Sequence, residues 1–221
     1  MSNGNRVLLW RHGQTDWNIH NRFQGHSDIP LNEVGKYQAE HAARLLAVMK
    51  PTAIISSDLQ RAHATAQALA DLVHLPVVVD PDLRETNGGN WEGKTGEENR
   101  AEDWTNFVRW IDGDNNPAGA TGERRTEVAE RAVAAIERAL AHRGDNQLLV
   151  VATHGGAARC VLGKLLELPQ SHWAVIGGLS NAAWSILQSG SRGWNLMEHN
   201  AGSIPEPVYG EESGAEPNGE K

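Results

Sequence analysis

The chain predicts an α/β fold of three layers, with a mostly parallel central sheet covered by helices on both faces. Short apolar runs recur at Val7–Trp10, Ala53–Ser56, Val77–Val79 and Leu148–Thr153. Segments with helical periodicity lie between them. Strands that alternate with helices of these lengths pair in parallel and bury both faces of their sheet.

Taken in order, Val7–Trp10 reads as a short buried strand that stops at Arg11-His12-Gly13. Asn32 can cap a helix from Glu33 to about Met49, with Ala39, Ala42, Ala43 and Leu46 on one side, and Pro51 ends it. Ala53–Ser56 is the second strand. Ser57 or Asp58 caps the next helix, Leu59 to about Val73. Val77–Val79 is a β-branched run bounded by Pro76 and Pro81. Glu85 to Thr95 has several glycines and no periodicity, so it reads as a loop. Asp103 to Ile111 reads as a short helix rich in aromatic residues, and Asp112 to Gly122 as a polar turn region. Thr126 to His142 is a strongly periodic helix with Val128, Ala132, Ala135, Ile136 and Ala139 as its inner stripe. The Leu148–Thr153 strand, a helix from about Ala157 to Leu166, and strands at 182–188 and 194–198 complete the pattern. Residues 1–202 read as one domain, with 88–122 as an insertion roofing its crevice.

Bulk properties narrow the function. The 221 residues carry a formal net charge of -8, which argues against a nucleic-acid binder. Residues 203–221 contribute five Glu against one Lys and read as a disordered acidic tail. No apolar run is long enough to cross a bilayer, and the polar N-terminus lacks the core of a signal peptide, so no membrane partner and a cytoplasmic location are expected. The one cysteine, Cys160, lies in an apolar helical segment and reads as a buried small hydrophobe. Tryptophan is enriched, eight against two Phe and two Tyr. Trp17, Trp91, Trp104 and Trp110 are candidate stacking surfaces for a sugar ring, against the plainer reading that most of them pack the core or roof.

The chemistry lies at the strand ends, where α/β proteins bind ligands. Arg11 and His12 follow the first strand, with Gly13 letting the backbone pass close to a ligand. Arg61 falls in the first turn of the helix after the second strand, where a cation suits the positive end of the macrodipole only if it faces an anion. Glu85 follows the third strand, as a site carboxylate or a partner for Arg84. His154-Gly155 follows the fourth. Two guanidiniums and two imidazoles make a pocket suited to phosphate. An imidazole there can attack phosphorus, the cations stabilise the equatorial oxygens, and a carboxyl group protonates the leaving alkoxide. His12, His154 and Glu85 could instead ligate a metal, a use disfavoured by the adjacent Arg11 and nearby Arg61. The reading therefore takes no metal and no cofactor.

These motifs resemble the histidine phosphatase superfamily, which includes phosphoglycerate mutases and small-molecule phosphatases. The matching stretches are Arg11-His12-Gly13-Gln14-Thr15-Asp16-Trp17-Asn18, Gln24-Gly25-His26-Ser27-Asp28, Ser56-Ser57-Asp58-Leu59-Gln60-Arg61, Leu83-Arg84-Glu85 and His154-Gly155-Gly156. The resemblance implies a phosphoglycerate mutase-like fold and His12 as the phosphorylated nucleophile. It also implies a phosphate pocket of Arg11, Arg61 and His154, a phosphate hydrogen bond from Asn18, and Glu85 as proton donor. Gln24 and Gly25 would face the leaving group, Thr15 would support the first loop, and Gly155 would line the site. Mutase relatives carry a longer insertion after the catalytic Glu. Here Thr86-Asn87-Gly88-Gly89-Asn90-Trp91-Glu92-Gly93 resembles the compact phosphatase branch. Gly122-Glu123 matches a phosphatase motif and Arg124 departs from it, facing either an anionic substrate or solvent. Residues 83–95 and 168–187 are similar to those of glucosyl-3-phosphoglycerate phosphatases, so that substrate stands as an alternative to a metal-independent phosphatase of some other small metabolite, beside a mutase and a non-catalytic phospho-ligand binder. The implied partner is a small phosphate ester; a homodimer is left open.

Overall fold

A computed structural model describes residues 4–141 and 143–202. Its strands are β1 (Arg6–Arg11), β2 (Ala53–Ser56), β3 (Val77–Val79), β4 (Leu148–Thr153), β5 (Trp184–Gly190) and β6 (Gly193–Ala201). Its helices are α1 (Asp16–Ile19), α2 (Glu33–Val48), α3 (Gln60–Val73), α4 (Gly96–Glu102), α5 (Trp104–Ile111), α6 (Arg125–Leu140) and α7 (Gly155–Leu165), with short 3-10 turns at Pro81–Leu83, Gly89–Trp91 and Gln170–Val175. The sheet order is β3-β2-β4-β1-β5-β6. The first four run parallel, and β5 and β6 are antiparallel additions at one side.

Alternation along the central strands splits the core into two layers. Val7 and Leu9 face a cluster with Val151, Ala132, Ile136, Val161 and Leu162, on the side of α6 and α7. Leu8 and Trp10 face another with Ala42, Ala43, Leu46, Ala66 and Leu69, on the side of α2 and α3. Burial on both faces is why these strands read as continuous apolar runs. Each fully buried Leu, Ile or Val contributes about 1.5–3 kcal/mol relative to exposure, so this sheet is a rigid platform for the residues leaving its ends.

The parallel strands β2, β3 and β4 stand where the sequence puts them, and Cys160 is buried. Several expectations need correction. Helix α3 starts at Gln60 rather than Leu59, and neither Ser57 nor Asp58 is its side-chain cap residue. Its first N–H is instead met by Asp28, whose Oδ1 accepts from Gln60 N at 2.7 Å. Helix α7 starts two residues early, at Gly155, with His154 as N-cap. Helix α6 begins at Arg125 and ends at Leu140; His142, the expected end, lies outside the described residues. The short helices α1 and α4 have no counterpart in the sequence reading. The acidic tail at 203–221 also lies outside the described residues.

Segment 88–122 carries a small aromatic core of its own. Trp91, Phe107 and Trp110 meet edge to face, with ring centroids 5.2 and 5.7 Å from Trp91, and Phe23 and Ala118 join them. The Arg125 guanidinium stacks on Trp110 at 3.8 Å. Trp91 and Trp110 are thus buried packing residues and not stacking surfaces for a ligand. Among the described residues, no helix is long and apolar enough to cross a membrane.

Candidate active site

Strand register builds the site. Arg11 pairs with Thr153 across β1 and β4, so the next residues, His12 and His154, leave adjacent strands at the same level. Their rings meet edge to face with centroids 5.2 Å apart. Both histidines are buried.

Hydrogen bonding fixes what each imidazole offers. His12 Nδ1 lies 2.7 Å from the Gly13 carbonyl. A carbonyl only accepts, so Nδ1 carries the proton and the neutral ring holds its lone pair on Nε2. The His12 backbone is pinned by Thr153 O, Ala182 N and Asn181 Nδ2. His154 is the other tautomer. Arg61 Nε donates to its Nδ1 at 3.2 Å, so His154 Nε2 donates to Ser57 Oγ at 3.0 Å.

The guanidiniums are held by backbone carbonyls. Arg61 Nη1 donates to Ser27 O and Nη2 to Gly25 O, both at 2.8 Å. Arg11 Nη1 donates to Leu179 O at 2.6 Å. Gly155, where a Cβ would stand 3.5 Å from Arg11 Nε, brings the start of α7 onto that guanidinium.

Glu85 is not paired with Arg84, which binds Asp58 instead. The Arg84 guanidinium, by hydrogen bond and charge, holds the Asp58 carboxyl below its ordinary value. Glu85 caps α7 from afar: Oε2 accepts from Gly156 N at 2.9 Å, and Oε1 from Ala157 N at 2.9 Å and Thr86 N at 2.7 Å.

Asn18 and Thr15 form a reciprocal capping box on α1. Asn18 Oδ1 accepts from Thr15 N and Asn181 Nδ2. Its oxygen is thereby committed to the protein. Gln24 is buried, and Gly25 adopts φ +50° beside it. The predicted residues Arg11, His12, Thr15, Asn18, Gln24, Gly25, Arg61, Glu85, His154 and Gly155 gather around the ends of β1 and β4.

One expectation about Gly13 changes. A Cβ there would stand 2.2 Å from the Gly35 carbonyl, so its close approach is to helix α2 and not to a ligand. Arg124 donates from its side chain to Asn115 O and is exposed, and its backbone N–H is met by Glu127 Oε2 at the start of α6. Trp104 is exposed on α5, and Trp17 packs by Gly93.

The supporting roles had no sequence signal beyond the place of Ser57 in a matching stretch. Ser57 Oγ accepts from His154 Nε2, and Asn181 braces both Asn18 and His12. Arg131 donates to the carbonyls of Asp82, Arg84 and Glu85 and, from Nε and Nη2, to both oxygens of Glu123. Burial alone would raise the Glu123 pKa, but Arg131, the Asn87 N–H and His26 outweigh it and hold it low. His26 Nε2 donates to Glu85 O at 2.9 Å, and burial pushes its imidazole below its ordinary value.

Two histidines of opposite tautomer, two buried arginines and a helix-capping carboxylate at the strand ends of an α/β sheet have the chemistry that phosphoryl transfer needs. Comparison with known proteins gives the same class. The family model of the histidine phosphatase superfamily (branch 1) matches residues 7–202. Glucosyl-3-phosphoglycerate phosphatase of Mycolicibacterium vanbaalenii is 38% identical over 199 residues, 85% of each chain. A Yersinia pestis protein named probable phosphoglycerate mutase is 38% identical over 164 residues, 74% of this chain and 76% of that one. The structure of mycobacterial glucosyl-3-phosphoglycerate phosphatase with VO3 superposes with TM-score 0.84 at 36% identity, covering 89% of this chain and 99% of that one. A mutant phosphoserine phosphatase of Entamoeba histolytica in complex with phosphoserine gives 0.80 at 26% identity, covering 89% and 97%. The chain belongs to the histidine phosphatase superfamily. It is a phosphoric monoester hydrolase acting on a small phosphorylated metabolite.

Proposed function

We propose that the chain cleaves its ester without a metal ion, through a phosphohistidine on His12, and that the ester is glucosyl-3-phosphoglycerate. The observation that carries the mechanism is the His12 Nδ1 contact with the Gly13 carbonyl, which leaves Nε2 as the nucleophilic nitrogen. Nε2 attacks phosphorus and the bond to the alkoxide oxygen breaks, with the proton for that oxygen coming from Glu85. Water then attacks the phosphohistidine, its proton goes to Glu85, and the P–N bond breaks. Arg11, Arg61, His154 and the Asn18 amide stabilise the equatorial oxygens. The fixed positive charge of Arg11 and Arg61 supports a site that needs no divalent cation. Gln24 and Gly25 face the leaving group, and segment 88–122 roofs it. The substrate rests on similarity to proteins of that name.

A panel of glucosyl-3-phosphoglycerate, 3-phosphoglycerate, phosphoserine and sugar phosphates, with chelator present, tests this. Glucosyl-3-phosphoglycerate is expected to lead in kcat/KM by about ten-fold or more. A flat profile overturns the substrate, loss of activity on chelation overturns the metal-free mechanism, and primer-dependent phosphate movement within phosphoglycerate makes the chain a mutase. His12→Ala is expected to abolish turnover and acid-labile labelling; surviving label moves the nucleophile, with His154 first in line.

A further inference from the structure

Glu92 lies beyond the predicted site residues, yet its carboxylate joins the roof to the phosphate pocket. Oε1 accepts from His26 N at 2.9 Å and Gly88 N at 3.0 Å. Oε2 accepts from Ser27 N at 3.1 Å and Ser27 Oγ at 2.9 Å. Three backbone N–H groups and a hydroxyl thus receive this charge. A carboxylate near a site for anions weakens its positive field, so its presence calls for another reason.

The loop it holds supplies that reason. Residues 25–28 present the Gly25 and Ser27 carbonyls to the Arg61 guanidinium. Asp28 of the same loop caps the helix that carries Arg61. Gly25 sits at φ +50°, and a Cβ there would stand 2.2 Å from Glu92 Oε1. That glycine lets the carboxylate reach the loop's N–H groups while the loop's carbonyls face Arg61. Arg61 Nε in turn donates to His154 Nδ1.

We propose that Glu92 is a positioning residue: by gripping the 26–27 backbone it aims the Gly25 and Ser27 carbonyls, and so the Arg61 guanidinium, at the phosphoryl group. The proposal rests on the reading of Arg61 as a phosphate ligand. Replacement of Glu92 by Gln sets an amide donor against donors on one side of that grip, and the loop and guanidinium shift together. The charged partner of four hydrogen bonds is lost with little change in shape.

The test is a double-mutant cycle on KM, kcat and the inhibition constant of inorganic phosphate, with Glu92→Gln, Arg61→Lys and the double variant. Glu92→Gln alone is expected to weaken phosphate inhibition and raise KM about ten-fold, with a smaller loss in kcat. In the Arg61→Lys background it is expected to add less than about two-fold. An unchanged phosphate inhibition constant in Glu92→Gln, or the same factor in both backgrounds, overturns the proposal and makes Glu92 a support for the fold alone. An Arg61→Lys enzyme that binds phosphate as tightly as the parent overturns the reading of Arg61 itself, whatever Glu92 does. If Glu92→Gln does not fold, Glu92→Asp, which keeps the charge but cannot span both loops, replaces it under the same criteria.

Discussion

Arg131→Met tests whether helix α6 holds the catalytic loop. The guanidinium makes hydrogen bonds of 2.7–2.8 Å to Asp82 O, Arg84 O, Glu85 O and Glu123. The Arg131 and Glu123 side chains are 16% and 23% exposed, so the pair is largely shielded from solvent. Breaking a buried pair by removing one partner costs about 3–5 kcal/mol. Partial exposure places this pair at the low end, near 3 kcal/mol, and the three carbonyls that lose their donor add about 0–2 kcal/mol together once water reaches them. The expected loss is about 3–5 kcal/mol, a fall in Tm of about 6–20 °C for a chain of this size. Acid supplies a second readout. The Glu123 pKa is depressed in the fold, so its contribution is complete above the ordinary carboxylate value and is lost as pH falls below it. Thermal melts from neutral pH down to about pH 2.5 should show that acid loss in the parent below the ordinary carboxylate value and a flatter profile there in Arg131→Met. A Tm within about 3 °C of the parent would refute the reasoning, since the guanidinium would then be replaceable by water.

Three further outcomes follow from the same contacts. Ser57→Ala removes the acceptor of His154 Nε2–H while the Arg61 Nε–H still holds the tautomer, so the ring loses one of its two anchors and kcat on an alkyl phosphate should fall about ten-fold or more with Tm nearly unchanged; an unaltered kcat sinks the anchoring argument. Gly13→Ala drives a methyl into the Gly35 carbonyl, and a loss of about 3 kcal/mol in urea unfolding is expected; a loss below about 1 kcal/mol would mean that α2 can retreat. Glu85→Gln removes the proton donor, so turnover of an alkyl phosphate should fall about 10²–10⁴-fold while p-nitrophenyl phosphate, whose leaving group needs no proton, loses far less; equal losses refute the role.

Strands β1, β2 and β4 were legible because burial on both faces writes itself as an uninterrupted apolar run, whereas β3, a largely exposed edge strand, was legible from its three valines and the bounding prolines. Helix α4 was missed although Thr95-Gly96-Glu97-Glu98 carries the capping-box pattern, because Gly96, Glu97, Glu98, Arg100 and Glu102 give it no apolar stripe. The starts of α3 and α7 were misread for one reason: their caps, Asp28 and Glu85, come from distant chain segments, and a local pattern cannot show that. Strand β6 extends beyond its predicted range because its residues are largely exposed and lack a clean alternation. Among site residues, those projecting from strand ends were readable by chemistry and position. Ser57, Asn181, Glu92 and Arg131 were not, because their work is on groups that only the fold brings near.

Glu85 shows why this site and this fold constrain each other. The carboxylate that caps α7 is also the group proposed to move a proton, and the helix it caps has as its N-cap His154, the imidazole beside the proposed nucleophile His12. The N–H groups of Gly156 and Ala157 hold that carboxylate at the helix start, so one set of hydrogen bonds serves both the cap and the site. The in-register ends of β1 and β4 set the level at which both histidines emerge. Any change that slides β4 against β1 by one residue would turn His154 to the opposite face of the sheet. The register of two buried strands, fixed by Val7, Leu9, Val151 and their opposite-face neighbours, is therefore the physical origin of the paired imidazoles.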